Sequence, residues 1–428
     1  VKFLLVALAI TVAVILMSRM RRALAVPLLM LLAWTPALLL SAMPFTFTSG
    51  YYSFMNRGVS GVAYLVFILM FLSVAVGAYI ANGSRPRRQS VVPYPHVNEL
   101  GLWMFFLAGL MVYSVSYALS GLGDTLSGQS DAMAVVASRD NFYLGTVNHL
   151  ILFLDLTSVI FFLRYIDKRK LIYLLPVIIT IAAYLLTYQK ARVINIVVYL
   201  VFVGTLYPHA MRRVFMGNPA RRAASLGAFV LMGLGLIWTN TQRGIDQIDV
   251  MTYSPLLEQL FIYSGAPALL NMSATLDGVL PSGEPQYGLT MLRGFIWSFV
   301  DRSQLSPTAF FEGINNGTIL VYWWHDFRWA GVLLVPFLFG FLTTRMMLAA
   351  RSGRIFSLVA GATACVAVVM SIYTDVISEA TTIIYLFLAF VMDRALALRR
   401  RRSARLPMSK PPMVKTGFIG AGAGDRRG

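Results

Sequence analysis

The chain has 428 residues, of which 58% are hydrophobic and 13% charged, at a mean hydropathy of +0.70; a soluble domain needs far more polar surface to stay in solution. Its formal net charge is +18, yet the basic residues stand in short clusters between apolar runs. That is the pattern of membrane topology signals, so no nucleic-acid partner is expected. The single cysteine, Cys365, lies inside an apolar run, which excludes a disulfide framework and a thiolate metal site.

Apolar runs fall at 2–17, 23–43, 59–81, 99–120, 148–164, 171–188, 192–207, 223–240, 330–348, 355–373 and 379–397. Each has roughly 17 to 23 residues, enough to cross a ~30 Å hydrocarbon core as a helix. They predict an all-α polytopic membrane protein with about eleven transmembrane helices. The first run reads as a retained span rather than a cleaved signal peptide, because its basic cluster follows the apolar stretch and no small-residue cleavage site comes after it. Runs 171–188 and 192–207 are separated only by Tyr188-Gln189-Lys190-Ala191-Arg192. Two charges within three residues favour a tight turn between two spans over one long helix.

The connections alternate in charge. Arg19, Arg21 and Arg22, then Arg85, Arg87 and Arg88, then Arg164, Lys168, Arg169 and Lys170 mark one face, which continues through Arg212–Arg222, Arg345–Arg354 and the tail from Arg394. That face holds 27 of the 36 basic residues, and the positive-inside rule makes it cytoplasmic. The N-terminus is then outside and the C-terminus cytoplasmic. The domain organisation follows: eight spans over 1–240, a large outer loop over 241–329, three spans over 330–398, and a basic Pro/Gly-rich tail over 399–428 expected to be disordered. A loop as long as 241–329 is usually functional. Within it, Ser254-Pro255 reads as a helix start, with Leu257, Leu260, Phe261, Ser264, Ala268 and Met272 on one face and Glu258, Gln259 and Asn271 elsewhere. Leu289, Leu292, Ile296 and Phe299 make a second stripe. Both predict amphipathic helices at the outer interface, with Trp238, Trp297, Trp323, Trp324 and Trp329 as an aromatic belt.

Candidate chemistry concentrates on the outer face. Arg192 opens one span, Arg243 follows another, and Arg293 and Arg302 lie in the large loop. Guanidinium groups hold phosphate bidentately and stay charged in a low dielectric, so they suggest a diphosphate or polyanionic lipid headgroup; each also has the plainer role of snorkelling or pairing with a carboxylate. Asp155 is a carboxylate inside a span, expected about two turns from its outer end. There it needs a partner: Asn148 shares its face, and Lys190 or Arg192 reaches it from the neighbouring hairpin. A register-fixing ion pair is the first reading and catalysis or proton coupling the second. His325 and Asp326 precede a span; either suits proton removal from a sugar hydroxyl, and the alternative is a solvated pair at a helix N-terminus. Asp124, Asp131, Asp140, Asp246, Asp249 and Asp301 read as solvated loop residues. The histidines at 96, 149, 209 and 325 lack metal-ligand spacing, and no nucleotide-type glycine loop is present. The first outer loop, Pro44 to Gly58, has no acidic residue, so any glycosyl transfer is expected to be metal-independent, without a cofactor.

Three segments carry a resemblance. They are the Thr187-Tyr188-Gln189-Lys190-Ala191-Arg192 turn, the large outer loop with Arg243 near its start and Arg302 in its second half, and Trp324-His325-Asp326-Phe327-Arg328-Trp329-Ala330-Gly331 at the entry to the next span. In layout the chain resembles the Wzy-type oligosaccharide repeat unit polymerases, whose pattern at that entry is aromatic-acid-Phe-Gly-x-x-Gly; here Arg328 replaces the first glycine. The resemblance implies a GT-C-like fold in the bacterial inner membrane. The large loop would be periplasmic, and glycan would be transferred from undecaprenyl diphosphate to a lipid-linked repeat unit. It implies undecaprenyl-diphosphate-linked oligosaccharides and membrane lipids as partners, with a chain-length regulator and a flippase of the same pathway. His325, Asp326 and Arg243 would be catalytic, and Lys190, Arg192, Arg293 and Arg302 would bind substrate. An O-antigen ligase and a lipid-linked oligosaccharide flippase or transporter are the alternatives.

Overall fold

The structure is a computed structural model that describes residues 25–43, 56–83, 97–119, 149–186, 190–207, 264–280, 283–291, 318–352, 354–373, 376 and 380–396. These residues are helical, without strands. In chain order the helices are α1 (Ala25–Ala42), α2 (Gly61–Gly83), α3 (Glu99–Leu119), α4 (Leu152–Lys168), α5 (Leu175–Leu186), α6 (Lys190–Leu206), α7 (Ala266–Leu276), α8 (Ile319–Phe327), α9 (Trp329–Ala349), α10 (Ile355–Met370) and α11 (Ala380–Leu396). Four described helices, Gly61–Gly83, Glu99–Leu119, His149–Lys168 and Trp329–Ala349, are long and apolar enough to cross a membrane; Val26–Ala42, Leu171–Leu185, Asn195–Leu206 and Ile355–Met370 are apolar but shorter. The expected runs 2–17 and 223–240, the loop 121–147 and the tail 399–428 lie outside the described residues.

The helices bury unequal shares of their surface, as expected where lipid rather than water surrounds a bundle. α3 leaves Leu100, Met104, Leu107 and Met111 exposed on one side, and α9 does the same with Leu333, Leu334 and Leu338. By contrast, α4 and α10 are covered along nearly their whole length. Among the described residues two large apolar cores result, with a smaller one around Val159, Leu163, Val203 and Leu358 between α4, α6 and α10. One gathers α1, α2, α7, α8 and α9, with Trp34 edge-on to Phe67 and Phe71 and Trp323 against Phe339. The other gathers α3, α4, α5, α6 and α11 around Phe106 and Phe161. α10 contributes to both, through Ala367 and Val368 on one side and Ile355 and Val359 on the other.

Apolar lipid offers no hydrophobic drive for helix association, so close backbone approach and buried hydroxyl pairs carry it. α2 and α9 cross where Gly77 meets the Phe337 carbonyl and Gly340 meets that of Val74; a Cβ at either glycine would overlap the opposing backbone. Ser158 on α4 shares a hydrogen bond with Thr180 on α5 at 2.8 Å. The Trp34 indole N–H donates to Ser371 Oγ at 2.8 Å, and the Ser371 carbonyl accepts from Ile319 N, tying the end of α10 to α1 and α8.

Contacts at the helix ends sort into two groups. Near the arginine-rich connections, Lys168 pairs with Glu99, Tyr173 donates to Glu99 Oε2 at 3.1 Å, Tyr207 donates to Asp167 at 3.2 Å, and Asp393 Oδ1 accepts from Ile355 N at 3.1 Å. Arg164, counted in that basic cluster, is instead buried within α4 and donates to the Val97 carbonyl at 2.9 Å. Near the opposite ends, Ser60 N donates to Ser273 Oγ at 2.9 Å and Tyr113 donates to the Ala183 carbonyl.

The segment expected to form the large loop departs from its reading in three ways. The helix there starts at Ala266, after Gly265 at φ 86°, so the stripe from Leu257 to Met272 is not one continuous face. All ten residues from Ala266 to Thr275, Asn271 included, are buried, because α7 inserts between α1, α2 and α8 instead of lying on a surface. And α8, expected as the loop's end, is a buried helix that takes Trp323 into the core and leaves Trp329 exposed. Residues 254–263 and 292–317 lie outside the described residues.

Candidate functional site

Two polar constellations sit at the candidate residues, one on each large core. The first is built on α4, α5, α6 and α11. Asp155 stands in the first turn of α4, closer to the helix start than expected from the sequence, where the free N–H groups of the helix favour a carboxylate. Tyr184 of α5, fully buried, donates its hydroxyl to Asp155 Oδ1 at 2.7 Å. The Arg192 guanidinium lies 5.4 Å from the Tyr184 ring centroid, and its Nη1 donates to the same hydroxyl at 3.4 Å. Arg192 is in the first turn of α6, where a cation opposes the helix dipole. The charge of Asp155, which interacts with that of Arg192, offsets this.

Aromatic rings close the constellation on two further sides. Tyr113 of α3 meets Tyr184 edge-on at 6.1 Å. Tyr385 of α11 packs at 5.2 Å on Tyr199 of α6, whose hydroxyl donates to Thr363 Oγ1 of α10 at 3.0 Å. The buried Tyr385 hydroxyl has no hydrogen-bond partner among the described residues. Leaving a buried hydroxyl unmatched costs about 1–3 kcal/mol. Asp155 and Arg192 both keep part of their surface open, whereas Tyr184 and Tyr385 are covered. A ligand entering from the open side would meet Arg192 and Asp155 together.

The second constellation is at the C-terminal end of α8. Asp326 is completely buried. Its Oδ1 accepts from Thr290 N at 2.9 Å and its Oδ2 from Met291 N at 2.6 Å. The carbonyls of His325 and Asp326, which end the helix without intrahelical donors, accept from Gln286 N at 3.3 Å and Tyr287 N at 3.2 Å. Thr290 donates to Gln286 Oε1 at 2.8 Å. Residues 286–291 are thus clamped over the end of α8. His325 is buried too.

Asp326 and His325 are therefore neither solvated nor at a helix N-terminus. A base must reach the proton it removes; Asp326, sealed and with both oxygens occupied by main-chain N–H groups, anchors a turn instead. Arg328, standing where the family pattern has glycine, has φ 51° and ψ −124°, a backbone conformation suited to glycine. It donates to the Gly283 carbonyl and lies over Trp324 at 5.8 Å. Gly331, the pattern's second glycine, abuts the Trp323 carbonyl so closely that a Cβ would collide with it.

Of the expected substrate-binding residues, the structure brings Arg192 to Asp155 and Tyr184. Lys190 opens α6, but its side chain is outside the described residues, as are Arg243, Arg293, Arg302 and Asn148. Sequence reasoning missed Tyr184 and Tyr385. Both stand in apolar runs with nothing to separate them from the other tyrosines; only the place of Tyr184 two turns before Arg192 hints at its part. Comparison with known protein families, with curated proteins and with solved structures finds no match.

Proposed function

We propose that the chain is a repeat-unit polymerase, joining undecaprenyl-diphosphate-linked oligosaccharides at the periplasmic face of the bacterial inner membrane. In this reading it has about eleven spans in a GT-C-like arrangement, with the N-terminus periplasmic and the C-terminus cytoplasmic. The observation that carries the proposal is Arg192, partly exposed and joined through the Tyr184 hydroxyl to Asp155, away from the arginine-rich connections. A departing diphosphate develops negative charge in the transition state, and a pre-positioned guanidinium stabilises it without reorganising. Arg243, Arg293, Arg302 and Lys190 would complete the cradle for the diphosphate and sugars, and the turn anchored by Asp326 would fix the outer segment that carries them.

The test is genetic. Arg192→Ala and Arg243→Ala are each expected to leave protein level intact while cells make only single-repeat glycans; full-length polymer in both would sink the arginine role. Reporter fusions within 241–329 must report the periplasm. A deletion strain that accumulates lipid-linked polymer, instead of capped single units, would indicate a ligase. A partly exposed carboxylate between helices also suits a coupled transporter, and purified protein that moves substrate across liposomes without elongating it would favour that reading.

A further inference from the structure

The chain's reaction, as proposed above, needs a group that takes the proton of the attacking sugar hydroxyl, and the expected candidates, His325 and Asp326, are both buried. We infer that Asp155 is that group, with Tyr184 positioning it. The inference rests on the polymerase reading and names the catalytic carboxylate within the same site.

Three observations converge on Asp155. Its side chain remains partly open. Only its Oδ1 is engaged, by Tyr184; among the described residues Oδ2 accepts no hydrogen bond. Arg192, the candidate diphosphate ligand, is joined to it through one phenol oxygen, which puts the group that would face the leaving diphosphate and the group that would take the proton in one site.

The step balances. The acceptor O–H gives its proton to Asp155 Oδ2 as its oxygen bonds the anomeric carbon of the donor. The bond from that carbon to the diphosphate oxygen breaks, its electron pair leaves with undecaprenyl diphosphate, and Arg192 faces the resulting charge. The Asp155 proton is then lost to water, so no other reactant is consumed.

The experiment uses the full chain in liposomes with a synthetic polyprenyl-diphosphate-linked trisaccharide as both donor and acceptor. If the wild type does not elongate it, the polymerase reading itself fails, before any variant is compared. If it does, Asp155→Asn is expected to lose at least about a hundredfold in kcat, the usual scale for a general base, with KM within about twofold. Asp155→Ala is expected to regain activity with added formate, which a purely structural carboxylate would not show. Elongation by Asp155→Asn within about tenfold of wild type, or a parallel loss in KM, overturns the assignment. Should neither Asp155 variant fold, Tyr184→Phe decides it: the ring packing stays while the hydroxyl goes, and wild-type turnover there would equally overturn it.

Discussion

Asp155 and Asp326 are both carboxylates among apolar helices, and the chain treats them in opposite ways. Asp326 receives two main-chain N–H groups and is sealed; Asp155 receives one side-chain hydroxyl and keeps a minor part of its surface open. A carboxylate saturated by backbone donors is committed to holding a turn, because moving either proton or charge there would orphan buried N–H groups. One held by side chains, with an oxygen to spare, can change partners during a reaction. The surroundings match: the first lies where residues 286–291 close over α8, the second where four helices meet around three tyrosines.

The sharpest way to break the contrast is to remove each carboxylate and measure stability. Asp326→Ala strands two buried N–H groups at about 1–3 kcal/mol each, so a loss of roughly 2–5 kcal/mol is expected. Thermal melting in detergent, together with the amount of protein in the membrane fraction, reads it out. Asp155→Asn keeps a side-chain oxygen in place for the Tyr184 hydroxyl and should cost within about 1 kcal/mol. Equal melting losses in the two variants would erase the distinction between anchor and working group.

A smaller effect tests whether the anchored side is rigid by construction. Gly331 lets α9 lie directly on the Trp323 carbonyl of α8, and the added methyl of Gly331→Ala meets backbone that cannot rotate away. Overpacking of this kind costs typically about 1–3 kcal/mol. Gly61, by contrast, has nothing within 4 Å of its would-be Cβ, so Gly61→Ala should melt near wild type. If both variants melt alike, the close approach of α8 and α9 does not contribute to stability.

How much of this was legible beforehand varied with the kind of interaction. Nine of the apolar runs in the sequence coincide with described helices, because hydropathy over a span is a sum that single residues cannot upset. The tie between Asp155 and the α5–α6 hairpin was also readable, since an acid inside a run demands a partner and a basic hairpin stood nearby. The sequence could not show that a tyrosine would stand between them: Tyr184 looks like any aromatic in a span. α7 was misplaced for a different reason. Its stripe looked amphipathic because Asn271 fell off the apolar face, yet that side is buried too: Ser273 Oγ takes up the Ser60 amide and Thr275 donates to the Asn271 carbonyl at 2.9 Å. Composition cannot distinguish a polar face turned to water from one turned to other helices.

The finest test lies at Arg328, where the chain departs from the pattern it resembles. Its φ of 51° costs a non-glycine residue of order 1–3 kcal/mol, and Arg328→Gly would remove that strain. The same change would lose the bond to the Gly283 carbonyl and the stacking on Trp324, together worth roughly 1–2 kcal/mol. The two nearly cancel, so Arg328→Gly should melt within about 1 kcal/mol of wild type. Arg328→Val keeps the strain, adds a β-branch at positive φ and loses both contacts, so it should be destabilised by roughly 2–4 kcal/mol. Melting curves of the pair separate a backbone requirement from a charge requirement. If Val is tolerated as well as Gly, the turn between α8 and α9 does not need its left-handed residue, and the likeness of this segment to the glycine pattern loses its physical basis.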